Sequence, residues 1–384
     1  MLPAPETRRL RLADVLPSCL AALTARSSPG MTNRLALPPV DHAVVLLVDG
    51  LGTHALMARA GHARSIAPLV GTVTTIDAGF PTTTASSLAT LTTGESPGQH
   101  GLVGYSVLDP AHDRVVNQLS GWDDRLDPAT WQRSRTVFER AADAGLASVV
   151  VSSERYRHSG FTRAVLRGAE YGAGESMADR VDVVRDILSS CTPSLVYLYV
   201  PELDVAAHAS GVASPAWTHR LEELDSLVSQ LSASLGRRDG LILTADHGVL
   251  DVPSSSHVLF DHDSGLVDGV RHVAGEPRCL QLHLEPDLSI DRREALVHRW
   301  RSSEGSRAWV ATRDEAVASG WFGPTVDAEV LPRIGDVIVA ARSRIAYYDS
   351  RSANQKGRTM IGQHGSLSPE ETSIPLLRYG AFAA

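Results

Sequence analysis

The chain has 384 residues, 43% of them hydrophobic, and a formal net charge of -8 from 36 basic and 44 acidic side chains. That length suffices for a sizeable core, in one large domain or in a domain with an insertion. The acidic balance excludes a general attraction to nucleic acid or anionic lipid, so no nucleic-acid-binding surface is expected, and a phosphate-bearing substrate would need positive charge supplied locally.

At the N-terminus Arg8, Arg9 and Arg11 precede LADVLPSCLAALTA. Asp14 and Pro17 interrupt that apolar run, which predicts an amphipathic helix rather than a secretory leader. No segment is apolar enough to span a bilayer, and a cytoplasmic protein is the expectation. Cys19, Cys191 and Cys279 lie far apart without CxxC spacing, so neither a disulfide framework nor a thiolate metal cluster is supported. They read as small buried hydrophobes.

Five short apolar runs follow: VVLLVDG from Val44, VTTIDAG from Val73, ASVVVSS from Ala147, SLVYLYV from Ser194 and GLILTADHG from Gly240. Near-continuous runs of this length predict strands buried on both faces, as in a parallel sheet. Helical patterns alternate with them, the clearest from about 216 to 235, where Leu221, Leu224, Leu227, Val228, Leu231 and Leu235 share a face. The alternation predicts an α/β fold with a doubly wound, mostly parallel sheet flanked by helices. From Asp251 to Arg358 the pattern loosens. CLQLHL and AWVAT read as strands and 292–301 as a helix, so 251–358 is expected to form an inserted small α/β cap, with 1–250 and 359–384 making up the main domain. VIVAA from Val337 fits either the cap or the main sheet.

Open α/β sheets bind ligands at the carboxyl ends of their strands. The first run ends at Asp49, followed by Gly50. SLVYLYV leads into PELDVAAHASG, which presents Asp204 and His208. GLILTAD ends at Asp246 with His247 beside it. Each has a plainer reading: an aspartate before glycine is often a turn residue, and an i, i+4 Asp–His pair is often a helix-surface pair. The same spacing also lets two side chains converge on one ion. Asp246–His247 carries the most weight, because two ligand-type residues directly after a buried run are costly without partners. His364, between Gly362 and Gly365 in GQHG, is a further candidate, its glycines permitting close backbone approach.

The segment FPTTTASSLATLTTG supplies hydroxyls at a predicted helix start, with Gly94 as the stop. By chemistry alone Thr82, Thr83, Thr84, Ser86 and Ser87 are all candidate nucleophiles, each exposed to the positive end of the helix dipole. An alcohol needs activation at neutral pH. No GxSxG elbow is present, so metal coordination is the route this inventory supports.

Taken together, VDGLG, FPTTTASSLATLTTGESPGQHGLVGY, PELDVAAH, TADHG and GQHG resemble the alkaline phosphatase superfamily, in its nucleotide pyrophosphatase/phosphodiesterase branch. They occur in the family's order from Val48 to Gly365. The resemblance implies an alkaline phosphatase-like fold and two divalent metal ions, zinc in preference to manganese or iron. It places one ion on Asp204, His208 and His364, and the other on Asp49, Asp246, His247 and the nucleophile. The nucleophile falls on Thr84, three residues after the proline of the family's P-T-x-T segment. Two positions depart from the pattern. Ala85 stands where the branch carries a phenylalanine that forms part of a base slot. Tyr105 stands where it carries an asparagine that donates to the phosphate, a role a phenol can take with different reach.

The resemblance therefore implies hydrolysis of a small-molecule phosphoester, a phosphodiester or nucleotide pyrophosphate, through a phosphothreonine on Thr84. A phosphomonoesterase or phosphonate hydrolase on the same scaffold is the alternative. Arg155, Arg157 and His158 in SSERYRHSG could supply the extra positive charge a monoester needs, although a surface loop is the plainer reading. A non-catalytic metal-stabilised binding protein is the third class, and it would lack a ligand or the nucleophile. No such position is empty.

Overall fold

The computed structural model describes residues 2–3, 10–24, 32–66, 69, 74–190 and 192–383. Arg8, Arg9, Val73 and Cys191 lie outside the described residues. In chain order the strands are β1 (His42–Val48), β2 (Thr74–Asp77), β3 (Ser106–Asp109), β4 (Arg114–Asn117), β5 (Ala147–Ser152), β6 (Glu170–Ala173), β7 (Ser194–Val200), β8 (Asp239–Thr244), β9 (Leu250–Asp251), β10 (His257–Leu259), β11 (Val270–Glu276), β12 (Cys279–Leu284), β13 (Ala308–Thr312), β14 (Val337–Ala341), β15 (Ala346–Tyr348), β16 (Gly362–Gln363) and β17 (Ser373–Gly380).

Seven of these form the main sheet in the order β2-β17-β8-β1-β7-β5-β6. β8, β1, β7, β5 and β6 run parallel, and β17 is antiparallel to both of its neighbours. The fold is thus the expected mostly parallel α/β sheet flanked by helices. β1 is buried along its whole length, as its unbroken apolar sequence requires. Its register matters for the site. Val48 pairs with Val200 and Leu47 with Thr244, so β1, β7 and β8 finish level and release their next residues at one rim.

The helix following Ser214 covers Pro215–Ala233, and its buried stripe includes Leu221, Leu224, Val228 and Leu231. The N-terminal helix corrects an expectation. Val15–Thr24 is not amphipathic, because nine of its ten residues are buried and it packs against β1 and β7. Pro17 sits in its first turn, where a missing N–H breaks no ladder.

A second sheet has the order β11-β12-β14-β13 and is antiparallel throughout. Its strands fall within 251–358, and VIVAA is its β14 rather than a return to the main sheet. Strand alternation divides the two faces of β12. Leu280, Leu282 and Leu284 pack with Trp300, on the Ile290–Glu304 helix, and with Tyr347. Cys279, Gln281 and His283 face the other way, where the Gln281 amide donates to the Val103 carbonyl at 2.7 Å. Arg278, at the β11–β12 turn, and Glu371, just before β17, form a fully buried bidentate pair joining the two sheets.

Candidate metal centre

The level ends of β1, β7 and β8 account for most of the site. Asp49 leaves β1 directly. Gly50 next to it has φ +71 and lies so close to Asp204 that a Cβ would come within 3.0 Å of the carboxylate Oδ1, so only glycine fits without strain. Its freed amide donates to Asp246 Oδ1 at 3.1 Å. After β7 the chain enters the Glu202–Ser210 helix, which aims Asp204 and His208 together, with His208 Nε2 3.3 Å from Asp204 Oδ2. Asp246 and His247 leave β8 and are fully buried. His364 arrives from the turn after β16.

Two groups result. Ligand atoms of Asp204, His208 and His364 lie within 4.8 Å of one another, as do those of Asp49, Asp204 and His247. The first matches the expected trio. In the second, Asp204 borders both groups, and Asp246 joins through Oδ2, 3.4 Å from His247 Nε2. His247 and His364 stack at 3.8 Å between ring centroids, which holds the two groups side by side.

The hydrogen bonds set the imidazole tautomers. Nδ1 of His208 faces the Gly362 carbonyl at 2.8 Å, that of His364 faces the Thr82 carbonyl at 2.8 Å, and that of His247 faces the Gly248 carbonyl at 3.3 Å. A carbonyl only accepts, so each Nδ1 carries a proton and each Nε2 is the ring atom turned toward the cluster. At His208 burial is outweighed by the Asp204 carboxylate, which raises the pKa, so an ion there would displace a proton. The Nε2 atoms of His208 and His364 stand 3.3 Å apart. Asp49 Oδ1, Asp204 Oδ1 and Asp246 Oδ2 are buried without a hydrogen-bond partner among the described residues. Facing ring nitrogens and orphaned carboxylate oxygens are costly in a dry interior and fit a cation centre of nitrogen and oxygen donors.

The same crowding moves the pKa values. Burial, then the charges of Asp246 and Asp204, push Asp49 well above the usual carboxylate range, and burial first also raises Asp246. Burial, then the neighbouring His247, holds His364 well below the ordinary imidazole value, so it is neutral and available as a ligand.

Thr84 opens the Thr84–Thr93 helix, which ends at Gly94 in the left-handed region. Thr84 Oγ1 lies 3.3 Å from His247 Nε2, at the edge of the second group. Its neighbours are placed differently: Thr82 donates to the Ser366 carbonyl, and the hydroxyls of Thr83, Ser86 and Ser87 are buried without a partner among the described residues. The N-cap Thr83 side chain makes no capping hydrogen bond, and among the described residues no side chain binds the first amides, which can receive an anion beside Thr84. A cavity of about 140 Å³ opens from Thr84, walled by Leu88, Tyr156, Phe161, Tyr197 and Tyr199.

Tyr105 is 40% exposed just ahead of β3, and among the described residues no hydrogen bond or ring contact joins it to the cluster. In the basic loop after β5, Arg157 binds Glu154 and the Tyr171 carbonyl, whereas Arg155 lies over the ring of Tyr156, a wall of the Thr84 cavity, and no ion pair of Arg155 or His158 is found among the described residues. Two residues escaped the sequence reading. Tyr199, on β7, donates from its hydroxyl to Asp49 Oδ2. The period of two that puts Tyr197 and Tyr199 on one face could have flagged it. Glu276, at the end of β11, is buried with Oε2 3.9 Å from His364 Nδ1, and burial, then Glu371, raise its pKa well above the carboxylate range. No sequence signal marks it, since it comes from the other sheet.

The open α/β sheet thus gathers carboxylates and imidazoles beside a helix-start threonine, a group suited to holding cations. Residues 43–367 match the type I phosphodiesterase/nucleotide pyrophosphatase family model, and the chain belongs to that family. Among curated proteins it is 24% identical over 270 residues to an uncharacterised pyrophosphatase/phosphodiesterase of Schizosaccharomyces pombe, covering 64% of this chain and 55% of that one. It is 23% identical over 343 residues to ectonucleotide pyrophosphatase/phosphodiesterase 1 of Saccharomyces cerevisiae, covering 74% of this chain and 44% of that one. The chain thus spans about half the length of these relatives. Among solved structures, murine ectonucleotide pyrophosphatase/phosphodiesterase 5 superposes with a TM-score of 0.67 at 18% identity, covering 88% of each chain. Phosphonoacetate hydrolase from Sinorhizobium meliloti superposes at 0.67 and 16% identity, covering 89% of this chain and 91% of that one. At these identities the structural likeness establishes the fold. Among the described residues, no helix is long and apolar enough to cross a membrane.

Proposed function

We propose that the protein hydrolyses a small-molecule phosphodiester or nucleotide pyrophosphate through a phosphothreonine on Thr84, at a centre for two divalent ions, zinc in preference to manganese or iron. The observation that carries this reading is the convergence of three buried carboxylates and three inward Nε2 atoms beside Thr84 Oγ1 at an uncapped helix start. Asp204, His208 and His364 would hold one ion, and Asp49, Asp246 and His247 with Thr84 the other, with Asp204 bordering both. Bound there, the ions would offset the carboxylates and the substrate phosphate and lower the pKa of the threonine hydroxyl.

The chain's own residues do the rest. Thr84 Oγ attacks phosphorus in line, the bond to the leaving oxygen breaks, and the phosphoryl group rests on Thr84. Free amides at the helix start donate to the non-bridging oxygens where charge builds. Water then attacks the phosphothreonine and releases the threonine oxygen. Tyr199 holds Asp49 in place, and the Nδ1 bonds to Gly362, Thr82 and Gly248 hold the imidazoles. The aromatic cavity beside Thr84 receives one ester substituent, and Tyr105 is assigned to the phosphate side. The segment 251–358 serves as a cap over the main domain, supplying Glu276 to the site. A cytoplasmic setting is part of the proposal, in keeping with Cys19 and Cys279, both free and buried.

The murine relative named above has an inactive threonine-to-alanine variant solved with AMP, which supports a threonine nucleophile and a nucleotide ligand in this fold. The phosphonoacetate hydrolase likeness supports the alternative of phosphonate or monoester hydrolysis. The ion pair of Arg157 with Glu154 favours the diester, while Arg155, over Tyr156 at the cavity wall, leaves a cation within the loop for the alternative. Metal-loaded protein should cleave bis-p-nitrophenyl phosphate faster than p-nitrophenyl phosphate, and chelator should abolish both. Faster monoester cleavage would establish the alternative, and no turnover at all would leave a binding protein.

A further inference from the structure

The inner face of the second sheet does not lie flat against the rest of the molecule. Between its β11–β12 edge and the β3–β4 hairpin lies a cavity of about 600 Å³, lined by none of the metal-centre residues. His283 and its cross-strand partner His272 lie at its sheet side. Leu108 and Pro110 of the hairpin, with Leu331 and Pro332 from the short turn packed against β3, form an apolar wall.

The polar lining carries an excess of positive charge. Arg271, Arg293 and Arg313 share only two carboxylates, Asp113 and Asp336. Asp336 is divided between Arg313 at 2.9 Å and Arg293 at 3.8 Å, and Asp113 between Arg271 and His272. Three guanidiniums against two carboxylates leave one positive charge among the lining side chains. His283 lies beside these groups and is 3% exposed. Burial pushes its pKa down to about 4, so it is neutral at physiological pH and does not add to the charge.

We propose that this cavity is a second ligand site, separate from the metal centre, for a small organic anion: a phosphate, phosphonate or carboxylate on an apolar or aromatic body. The guanidiniums suit a forked anionic oxygen pair, and the proline and leucine wall suits the body. The volume falls in the range of small-molecule pockets. His272 stands four residues before Glu276 on β11. At about 3.3 Å per residue this sets the cavity roughly 13 Å along the strand from the surroundings of His364.

The test is calorimetric titration of the metal-loaded full chain with phenylphosphonate, which is not hydrolysed, beside benzoate and inorganic phosphate. Two equivalents of phenylphosphonate should bind. Arg271→Gln combined with Arg313→Gln should remove one of them and leave the inhibition constant at the metal centre unchanged. Because neutralising Arg313 unbalances Asp336, Arg271→Gln alone serves as the second variant: Asp113 keeps His272 as a partner, and the same equivalent should weaken at least tenfold without a lower Tm. Stronger binding by phenylphosphonate or by benzoate names the head group. No equivalent sensitive to either variant, or inorganic phosphate filling the variant-sensitive equivalent as tightly as phenylphosphonate, would overturn the proposal, whatever binds at the metal centre.

Discussion

Glu371→Gln tests how the two sheets are held together. Arg278 and Glu371 are both fully buried, and their two parallel bonds measure 2.8 and 2.7 Å. The remaining Arg278 donors go to the Ala341, Ser343 and Ile345 carbonyls. Glu371 also accepts from the Ser366 amide and the Ser368 hydroxyl. Glutamine keeps the shape and an acceptor but leaves the guanidinium charge uncompensated, a change worth about 3–5 kcal/mol in a buried pair. An unfolding entropy of about 2.1 cal/mol/K per residue gives ~0.8 kcal/mol/K for this chain, so Tm should fall by about 4–6 °C. Because Ser366 lies two residues beyond His364, metal retention should weaken as well. Differential scanning calorimetry of the variant, of Arg278→Met and of the double variant decides the matter. The double variant should lose less than the sum of the singles, since removing the second partner strands no further charge. A Tm within about 1 °C of the unaltered protein, or simple additivity, would refute this account.

Thr84→Ala should abolish turnover in the p-nitrophenyl ester assay while metal analysis finds the content largely intact; retained activity would move the nucleophile to Thr83 or Ser86. His364→Ala should lower occupancy of one metal more than the other, and equal loss of both would contradict the division of ligands between two groups. Tyr199→Phe removes the donor to Asp49 and should weaken affinity for the ion at Asp49, Asp246 and His247 by about 10–100-fold. Chelator competition measures this, and an unchanged affinity would show that Tyr199 merely fills space.

Strand and ligand identities were legible because they depend on local pattern. Unbroken apolar runs declared β1, β7 and β8, and a carboxylate at the end of each rim follows from the chemistry of open sheets. The Thr84 helix was legible too, through its hydroxyl-rich start and the Gly94 stop. β17 and the full burial of the N-terminal helix were not, since both depend on what packs beside them. Leu376 and Leu377 in β17 are buried by β8 and β2, and the N-terminal helix is covered on every side.

The amino-acid order by itself marked Asp49, Asp204, His208, Asp246, His247 and His364 as candidate ligands and the hydroxyls from Thr82 to Ser87 as candidate nucleophiles, among which the family resemblance singled out Thr84. Only the tertiary structure decided how they divide. Asp204 lies between the two groups because the level ends of three strands bring the Glu202–Ser210 helix against Gly50. The protonated face of each imidazole is likewise set by backbone carbonyls, two of them contributed by segments about 150 to 280 residues away along the chain. Glu276 and the Arg278–Glu371 clamp belong wholly to this second category. Long-range contacts of that kind carry no local periodicity, so nothing in the neighbouring sequence announces them.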